Sequence, residues 1–365
     1  MFGAKCVRTG GGNLDVNLVF NDAGQIVGLT VTPVGAVAQQ ANATYAPPPY
    51  AQPERFREEE AQVGQGEWAL PGTLSLPRGS GPYAGVVLVH GSGPADRDET
   101  LPPNKPFRDL AWGLASQGIA VLRYEKRTHV YGDKIKGEQL ATLTVKGETI
   151  DDALAAVALL RARPEVDPRQ VFVLGHSLGG YLAPRIGAAD PQLRGLVILA
   201  GSARPLEDIL LDQMNYVYSL TISDAAVRQK QLAALERQVE LVKDPVRLPT
   251  APASDLPFGV PPAYWLDLNA YHPEQVARAL ALPMLFLLGE SDYQVTRADL
   301  QIWQGALAGR SDVQFIMYPG LGHTFMPVEG GGKATPASYA VVGHVAEAVI
   351  NEIANWVQQQ AARAS

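Results

Sequence analysis

The chain has 365 residues, of which 46% are hydrophobic and 18% charged, enough apolar material to bury a large core and to exclude disorder as the overall state. A formal net charge of -7, with 30 Lys+Arg against 37 Asp+Glu and no basic block, gives no electrostatic drive toward nucleic acid or anionic membrane. Cys6 is the single cysteine, which excludes an intrachain disulfide and a thiolate metal cluster, while 36 glycines and 28 prolines are too many for a helical bundle.

In chain order, Met1 to Gly12 lacks the apolar run of a signal peptide, and no later stretch is long enough to span a membrane. A cytoplasmic chain is the default expectation, although a longer secreted precursor would read the same way. Residues 1–32 read as a β-hairpin: Leu14, Val16, Leu18 and Phe20 alternate with polar neighbours, Asn21-Asp22-Ala23-Gly24 supplies a turn, and Ile26 to Val31 runs on extended. Two strands alone are marginal in water, so the hairpin must pack on the main domain or pair with its copy in a homodimer. Residues 33–53, with Pro47-Pro48-Pro49, read as a proline-rich linker.

From Glu54 to the C-terminus, residues 54–365, strand and helix patterns alternate. Arg57 to Val63 and Glu67 to Leu76 form an antiparallel opening pair. Short apolar runs follow at Ala84–His90, Ile119–Tyr124, Val171–Leu174, Leu196–Ala200, Met284–Leu288 and Val313–Tyr318. Helical patterns lie between them at Phe107–Gln117, Val145–Arg163, Leu178–Ala188 and Ala298–Leu307, with a last one at Val341–Gln359. Doubly apolar strands separated by helices predict an α/β fold, a mostly parallel sheet with helices on both faces. One interval is too long for a crossover. Residues 204–273 carry two helical patterns, Leu206–Leu220 and Ala225–Lys243, and a proline-rich segment, and are expected to form a cap over a site.

The sharpest chemical signal is Gly175-His176-Ser177-Leu178-Gly179. The bare GxSxG pattern is weak, but here it directly follows an apolar strand and precedes a helix, the turn that presents a serine hydroxyl above a sheet. Ser177 is therefore the candidate nucleophile. A serine needs a base, and the base needs an acid to orient it; in the chain order Ser, acid, His, the eligible histidines are His272, His323 and His344. His323 sits in Gly320-Leu321-Gly322-His323 at a strand's carboxyl end and is preferred, His272 belonging to the cap's return and His344 to a helical pattern. Asp292 is the preferred acid, with Glu290, two residues closer to the strand, as its rival. For the oxyanion, the backbone N–H of Leu178 is one candidate donor and that of Ser92, in His90-Gly91-Ser92-Gly93, the other, with Gly91 and Gly93 as rivals. His90 reads as a neutral, loop-supporting residue. Tyr293, Phe325 and Met326 flank the catalytic loops as candidate substrate contacts. Asp96-Arg97-Asp98-Glu99 lacks calcium-loop spacing, and no His-x-x-x-His, His-Glu-x-x-His, dinucleotide or Walker pattern occurs, so no metal and no cofactor is expected.

Together GHSLGGYLAPRI, HGSGPADRDET, PNKPFRDLAWGLASQGIAVLRYEKRT and GESDYQVT resemble the bacterial α/β-hydrolase carboxylesterases of the esterase D type found in thermophiles. The resemblance runs over nearly all of residues 50 to 357. It implies an eight-stranded α/β-hydrolase sheet with an inserted helical cap, hydrolysis of short acyl esters of small molecules, and the assignment of Ser177, Asp292 and His323 as nucleophile, acid and base, in favour of Asp292 over Glu290. Members of that group carry an N-terminal domain of NTF2-like shape, of which residues 14–33 look like the last hairpin alone. Two other readings use the same residues: a serine peptidase or amidase of the prolyl-oligopeptidase kind, here without a β-propeller, and an inactive hydrolase-fold binding protein.

Overall fold

Short uninterrupted runs of apolar residues dictate the centre of the molecule. The computed structural model describes residues 2–6, 14–20, 26–33 and 44–363. Eight of its strands form one sheet: β4 (Phe56–Val63), β5 (Leu70–Pro77), β6 (Tyr83–Val89), β7 (Ala120–Tyr124), β8 (Val166–His176), β9 (Gly195–Leu199), β10 (Met284–Gly289) and β11 (Val313–Tyr318). Their spatial order is β11-β10-β9-β8-β6-β7-β5-β4. From β7 to β11 all neighbours are parallel, and the two opening strands are joined antiparallel. Val86 to Val89, Val171 to Leu174 and Leu196 to Leu199 are almost inaccessible; helices cover both faces, and removing this apolar surface from water is the dominant stabilising term. β11, at the edge, is only half-buried throughout.

This order places the site. The chain leaves β6 for β7 on one side and returns to β8 on the other, so β6 and β8 flank the point where winding reverses. In an open parallel sheet the crevice at the carboxyl ends of such strands is where ligands bind. Register aligns Val89 with Gly175 and Gly289 with Tyr318, so the loops after β6, β8, β10 and β11 emerge on one side of the sheet.

Two helices depart from expectation. The one expected from Val145 opens with a wide π turn at Lys146–Ile150 before regular helix at Asp151–Arg161. The one expected from Val341 begins only at Glu347, running to Ala362. There the backbone of 341–345 is held by side chains instead: Asn104 donates to the Val341 carbonyl at 2.7 Å and accepts from Gly343 N–H at 2.9 Å, and Asp109 accepts from Val345 N–H at 2.9 Å. Those bonds compete directly with helical ones. His344 therefore lies in this strap and not in a helix, half-buried with Nδ1 3.2 Å from Asp109.

The insertion divides in two. Helices Leu206–Thr221 and Ala225–Val242 pack on each other around their own small cluster of Leu210, Leu235 and Val239. Residues from Leu248 onward join the main core through Leu248, Leu256, Trp265, Leu268 and Tyr271, as does Val242 at the end of the second helix, so only the body of the helix pair keeps a cluster of its own.

At the N-terminus, β2 (Leu14–Phe20) and β3 (Ile26–Pro33) pair antiparallel as expected, and a further strand, β1 (Phe2–Cys6), pairs along the free edge of β2. The expected turn at residues 21–24 and residues 34–43 of the expected linker lie outside the described residues. The linker's last stretch is anchored: Tyr45 Oη donates to Asp109 at 2.6 Å and Tyr50 Oη to the Val345 carbonyl at 2.8 Å.

Candidate active site

Ser177 follows the last residue of β8 and precedes helix Leu178–Ala189, with φ 52° and ψ −115°. A left-handed φ at a non-glycine residue is strained, and here the surroundings enforce it. A Cβ on Gly175 would lie 2.1 Å from the Gly179 carbonyl oxygen, and one on Gly179 would lie 2.2 Å from that of Val89. Only glycines let the strand, the turn and the neighbouring strand approach this closely. Ser177 itself is half-buried between buried neighbours. Its N–H donates to the Leu199 carbonyl at 2.9 Å, while Leu178, first in its helix, has an N–H with no intrahelical acceptor.

Asp292 and His323 come together. Nδ1 of His323 is 2.7 Å from Oδ2 of Asp292, and both residues are buried. The other oxygen, Oδ1, accepts from Gln294 N–H at 2.7 Å, which fixes the carboxylate plane. Glu290 faces solvent and pairs with Arg297 at 2.7 Å; His272 is exposed at the start of helix Pro273–Ala279. Among the described residues no hydrogen bond joins Ser177 to His323. The His323 loop meets the strand that leads to Ser177 through His176, whose Nε2 donates to the His323 carbonyl at 3.0 Å with ring centroids 4.8 Å apart.

The loop after β6 holds the charged residues whose part in the site was not foreseen. Gly91 N–H donates to Glu99 Oε1 at 2.7 Å, which removes it as an oxyanion donor and leaves Ser92, exposed at the loop tip, and Gly93. Glu99 Oε2 is 2.8 Å from His176 Nδ1, a close ion contact without hydrogen-bond alignment. Both groups are buried. Burial works against either charge, yet each outweighs it for the other: His176 is held above the usual histidine range and Glu99 below the usual carboxylate range. His90 is different. Burial pushes its imidazole down to about 4, and its Nε2 lies 3.1 Å from the Asp96 carbonyl, a neutral support as expected. Asp98 anchors the far end of the loop: burial would raise its pKa, but Arg123 and Arg108 outweigh this and lower it, with Arg123 Nε donating at 2.9 Å and Lys105 at 3.0 Å. The Asp-Arg-Asp-Glu run thus rigidifies the loop; its signal was a dense charge cluster directly after the glycine turn.

Residues 86–334 match the family model described as "Alpha/beta hydrolase family". The chain belongs to that family. Among curated relatives of this hydrolase, Esterase EstD of Thermotoga maritima is 42% identical over 342 residues, covering 92% of this chain and 77% of its own. A monoacylglycerol lipase of Mycolicibacterium smegmatis is 26% identical, with 66% and 81% covered. Among solved structures, Est1E from Butyrivibrio proteoclasticus superposes with a TM-score of 0.54 at 15% identity, covering 83% of this chain and 99% of that one. A Pyrococcus furiosus esterase gives 0.51 at 14%, covering 84% and 91%. At such identities the superpositions speak for the fold alone.

In this hydrolase a cavity of about 430 Å³ opens between the cap helix Leu206–Thr221 and the loop after β10. Tyr216, Tyr293, Gln294, Arg204 and Lys333 line it; the Tyr216 ring packs on Tyr293 at 5.2 Å, and Lys333 Nζ sits 4.3 Å over the Tyr216 ring. Tyr293 and Gln294 follow Asp292 in the chain, but the cavity is lined by none of Asp292, His323, Ser177 or Ser92. Of the three expected substrate contacts, only Tyr293 borders it. Phe325 is buried with φ 59°, its ring edge-on to Tyr318 and its carbonyl accepting from Ala346 N–H at 2.9 Å; Met326 accepts from Gly322 N–H at 3.0 Å. Both brace the His323 loop. Among the described residues no His/Cys/Asp/Glu cluster is placed to hold a metal ion, and no helix is long and apolar enough to cross a membrane.

Proposed function

We propose that this protein is a serine carboxylesterase that hydrolyses short-chain acyl esters through Ser177, His323 and Asp292. In this reading Ser177 Oγ attacks the ester carbonyl while His323 Nε2 takes its proton. Asp292 holds the imidazole in the tautomer that leaves Nε2 free and stabilises the imidazolium that forms. The N–H groups of Leu178 and Ser92 receive the negative charge that develops on the carbonyl oxygen. His323 then gives the proton to the departing alcohol, and water repeats the sequence on the acyl-enzyme.

The observation that carries this reading is the buried Asp292–His323 hydrogen bond of 2.7 Å on loops neighbouring a serine held at a left-handed turn. The 42% identity to a named esterase over most of the chain supports ester chemistry. A p-nitrophenyl ester series from acetate to decanoate, run on the wild type and Ser177→Ala, tests it. Turnover should be greatest on the short chains and fall by several orders of magnitude in the variant, and a fluorophosphonate probe should label only the wild type. Undiminished hydrolysis by Ser177→Ala would end the proposal.

A further inference from the structure

A buried polar network surrounds one glycine of the loop after β6. The carbonyl oxygen of Gly91 accepts from Lys126 Nζ at 2.9 Å, and its N–H donates to Glu99 Oε1 at 2.7 Å. Lys126 is a fully buried lysine; its charge is met by Glu148 Oε2 at 3.6 Å, and Glu148 is in turn held by Thr128 Oγ1 at 2.6 Å and by Tyr264 Oη at 2.8 Å. Burying a lysine and two glutamates is costly unless every charge is paired, whereas residues 86–89 of β6, which lead into this loop, are entirely apolar.

We propose that Lys126 and Glu99 are positioning residues that hold the Gly91–Ser92 peptide in the orientation the oxyanion requires; this rests on the serine-esterase reading above. The peptide bond is trans, so its C=O and N–H point in opposite directions. With the carbonyl captured by Lys126, the Ser92 N–H points within the same plane in the opposite direction, away from the Lys126 ammonium. Capture of the Gly91 N–H by Glu99 fixes the preceding peptide as well, so neither side of the glycine can rotate. Gly91 is also the residue of this loop that abuts the nucleophile: a Cβ there would lie 3.2 Å from Ser177 Cβ. Glu99 extends the arrangement. Its second oxygen faces His176, which precedes Ser177 and donates to the His323 carbonyl, so one carboxylate ties the oxyanion loop to the nucleophile's strand and, through it, to the base loop.

Two substitution pairs test the proposal with p-nitrophenyl butyrate as substrate and an alkyl trifluoromethyl ketone as the probe whose serine adduct carries the oxyanion. Lys126→Met and Glu99→Ala should each lower kcat by roughly 10- to 100-fold with KM held within about threefold, and weaken the ketone in step with kcat. Glu99→Gln keeps an oxygen for the Gly91 N–H and an amide N–H for His176 Nδ1, and should restore most of the activity. Lys126→Met strands Glu148; if it does not fold, Lys126→Met with Glu148→Gln removes the stranded charge and carries the same expectation. A folded lysine variant with kcat within threefold of wild type overturns the proposal, as does a fall in kcat with ketone affinity unchanged, or Glu99→Gln as impaired as Glu99→Ala. A wild-type protein that hydrolyses no ester and is not labelled at Ser177 overturns the serine-esterase reading itself, a separate result.

Discussion

Asp292 touches His323 with one carboxylate oxygen and the backbone of Gln294 with the other, both at 2.7 Å. Asn at 292 can keep its oxygen on the Gln294 N–H, but it then presents an NH₂ to His323 Nδ1. The imidazole must accept there, its proton moves to Nε2, and it can no longer take one from Ser177. Asp292→Asn should therefore lower kcat by roughly 10³–10⁴-fold at neutral pH with little loss of stability. Steady-state kinetics beside a thermal melt check this; a loss below tenfold would remove Asp292 from the reaction.

Much of this arrangement was legible beforehand because it depends on local rules. The apolar runs, the glycines around Ser177 and the position of His323 past a strand end are local signals that favoured one reading over its rivals, and the resemblance favoured Asp292 over Glu290. What stayed hidden depends on contacts distant in sequence. Nothing near Val341 announces that Asn104 and Asp109 will take its backbone bonds and delay the last helix to Glu347. Lys126 and Glu148 look like surface charges until the fold buries them together. Phe325 looked like a substrate contact because it follows His323 by two residues, but its left-handed backbone turns it into the core.

Gly179 should tolerate no side chain. A Cβ there meets the Val89 carbonyl oxygen at 2.2 Å and that of His90 at 2.7 Å, both backbone atoms of the strand and loop that carry the oxyanion segment, so neither can yield by changing rotamer. Gly179→Ala is expected to cost more than roughly 3 kcal/mol, read as a lowered urea midpoint. A midpoint equal to wild type would mean that the approach of β6 to the nucleophile helix is looser than described.

Acid should destabilise the fold through His90. Its native pKa of about 4 lies below the ordinary value near 6.5, so between those limits the unfolded chain takes up a proton that the native state refuses, and stability falls as pH falls. Below about 4 both states are protonated and the slope ends. The loss is on the order of 3 kcal/mol, and Glu99, held below the usual carboxylate range by His176 despite its burial, adds to it at the acid end. Asp152, raised by burial to about 6, adds stability over part of the same window, so the His90 term is read as a difference: urea unfolding from pH 7 to 4 should show stability changing less favourably with acid in the wild type than in His90→Asn. Parallel curves would rule His90 out as its source.

Arg123 anchors the loop that carries Ser92. It is 1% exposed, donates to Asp98 at 2.9 Å, Glu58 at 2.7 Å and Ser75 at 3.0 Å, and removing it leaves Asp98 buried with only Lys105 and Arg108 beside it. Breaking a buried pair from one side is expected to cost about 3–5 kcal/mol. Arg123→Met should therefore lower the denaturant midpoint sharply, whereas Arg169→Met, which breaks only the exposed pair with Asp167, should leave it unmoved. Equal effects of the two would contradict the anchoring role.

The cavity beside Asp292 makes a separable prediction, because its walls do not include the reacting residues. Tyr216 comes from the cap and is fixed on three sides: it donates to the Ala334 carbonyl at 2.9 Å, packs on Tyr293 at 5.2 Å and lies beneath the Lys333 ammonium at 4.3 Å. If this space receives part of the ester, Tyr216→Ala removes an aromatic contact worth about 1 kcal/mol, which raises KM roughly fivefold. Since Tyr216 touches neither Ser177 nor His323, kcat should stay within about twofold, the signature of lost ground-state binding. Michaelis kinetics across the acyl series separates the outcomes. A KM unchanged for every chain length would show that substrate enters elsewhere, and a kcat that falls with KM constant would show that the cap acts on the acid–base pair through Tyr293.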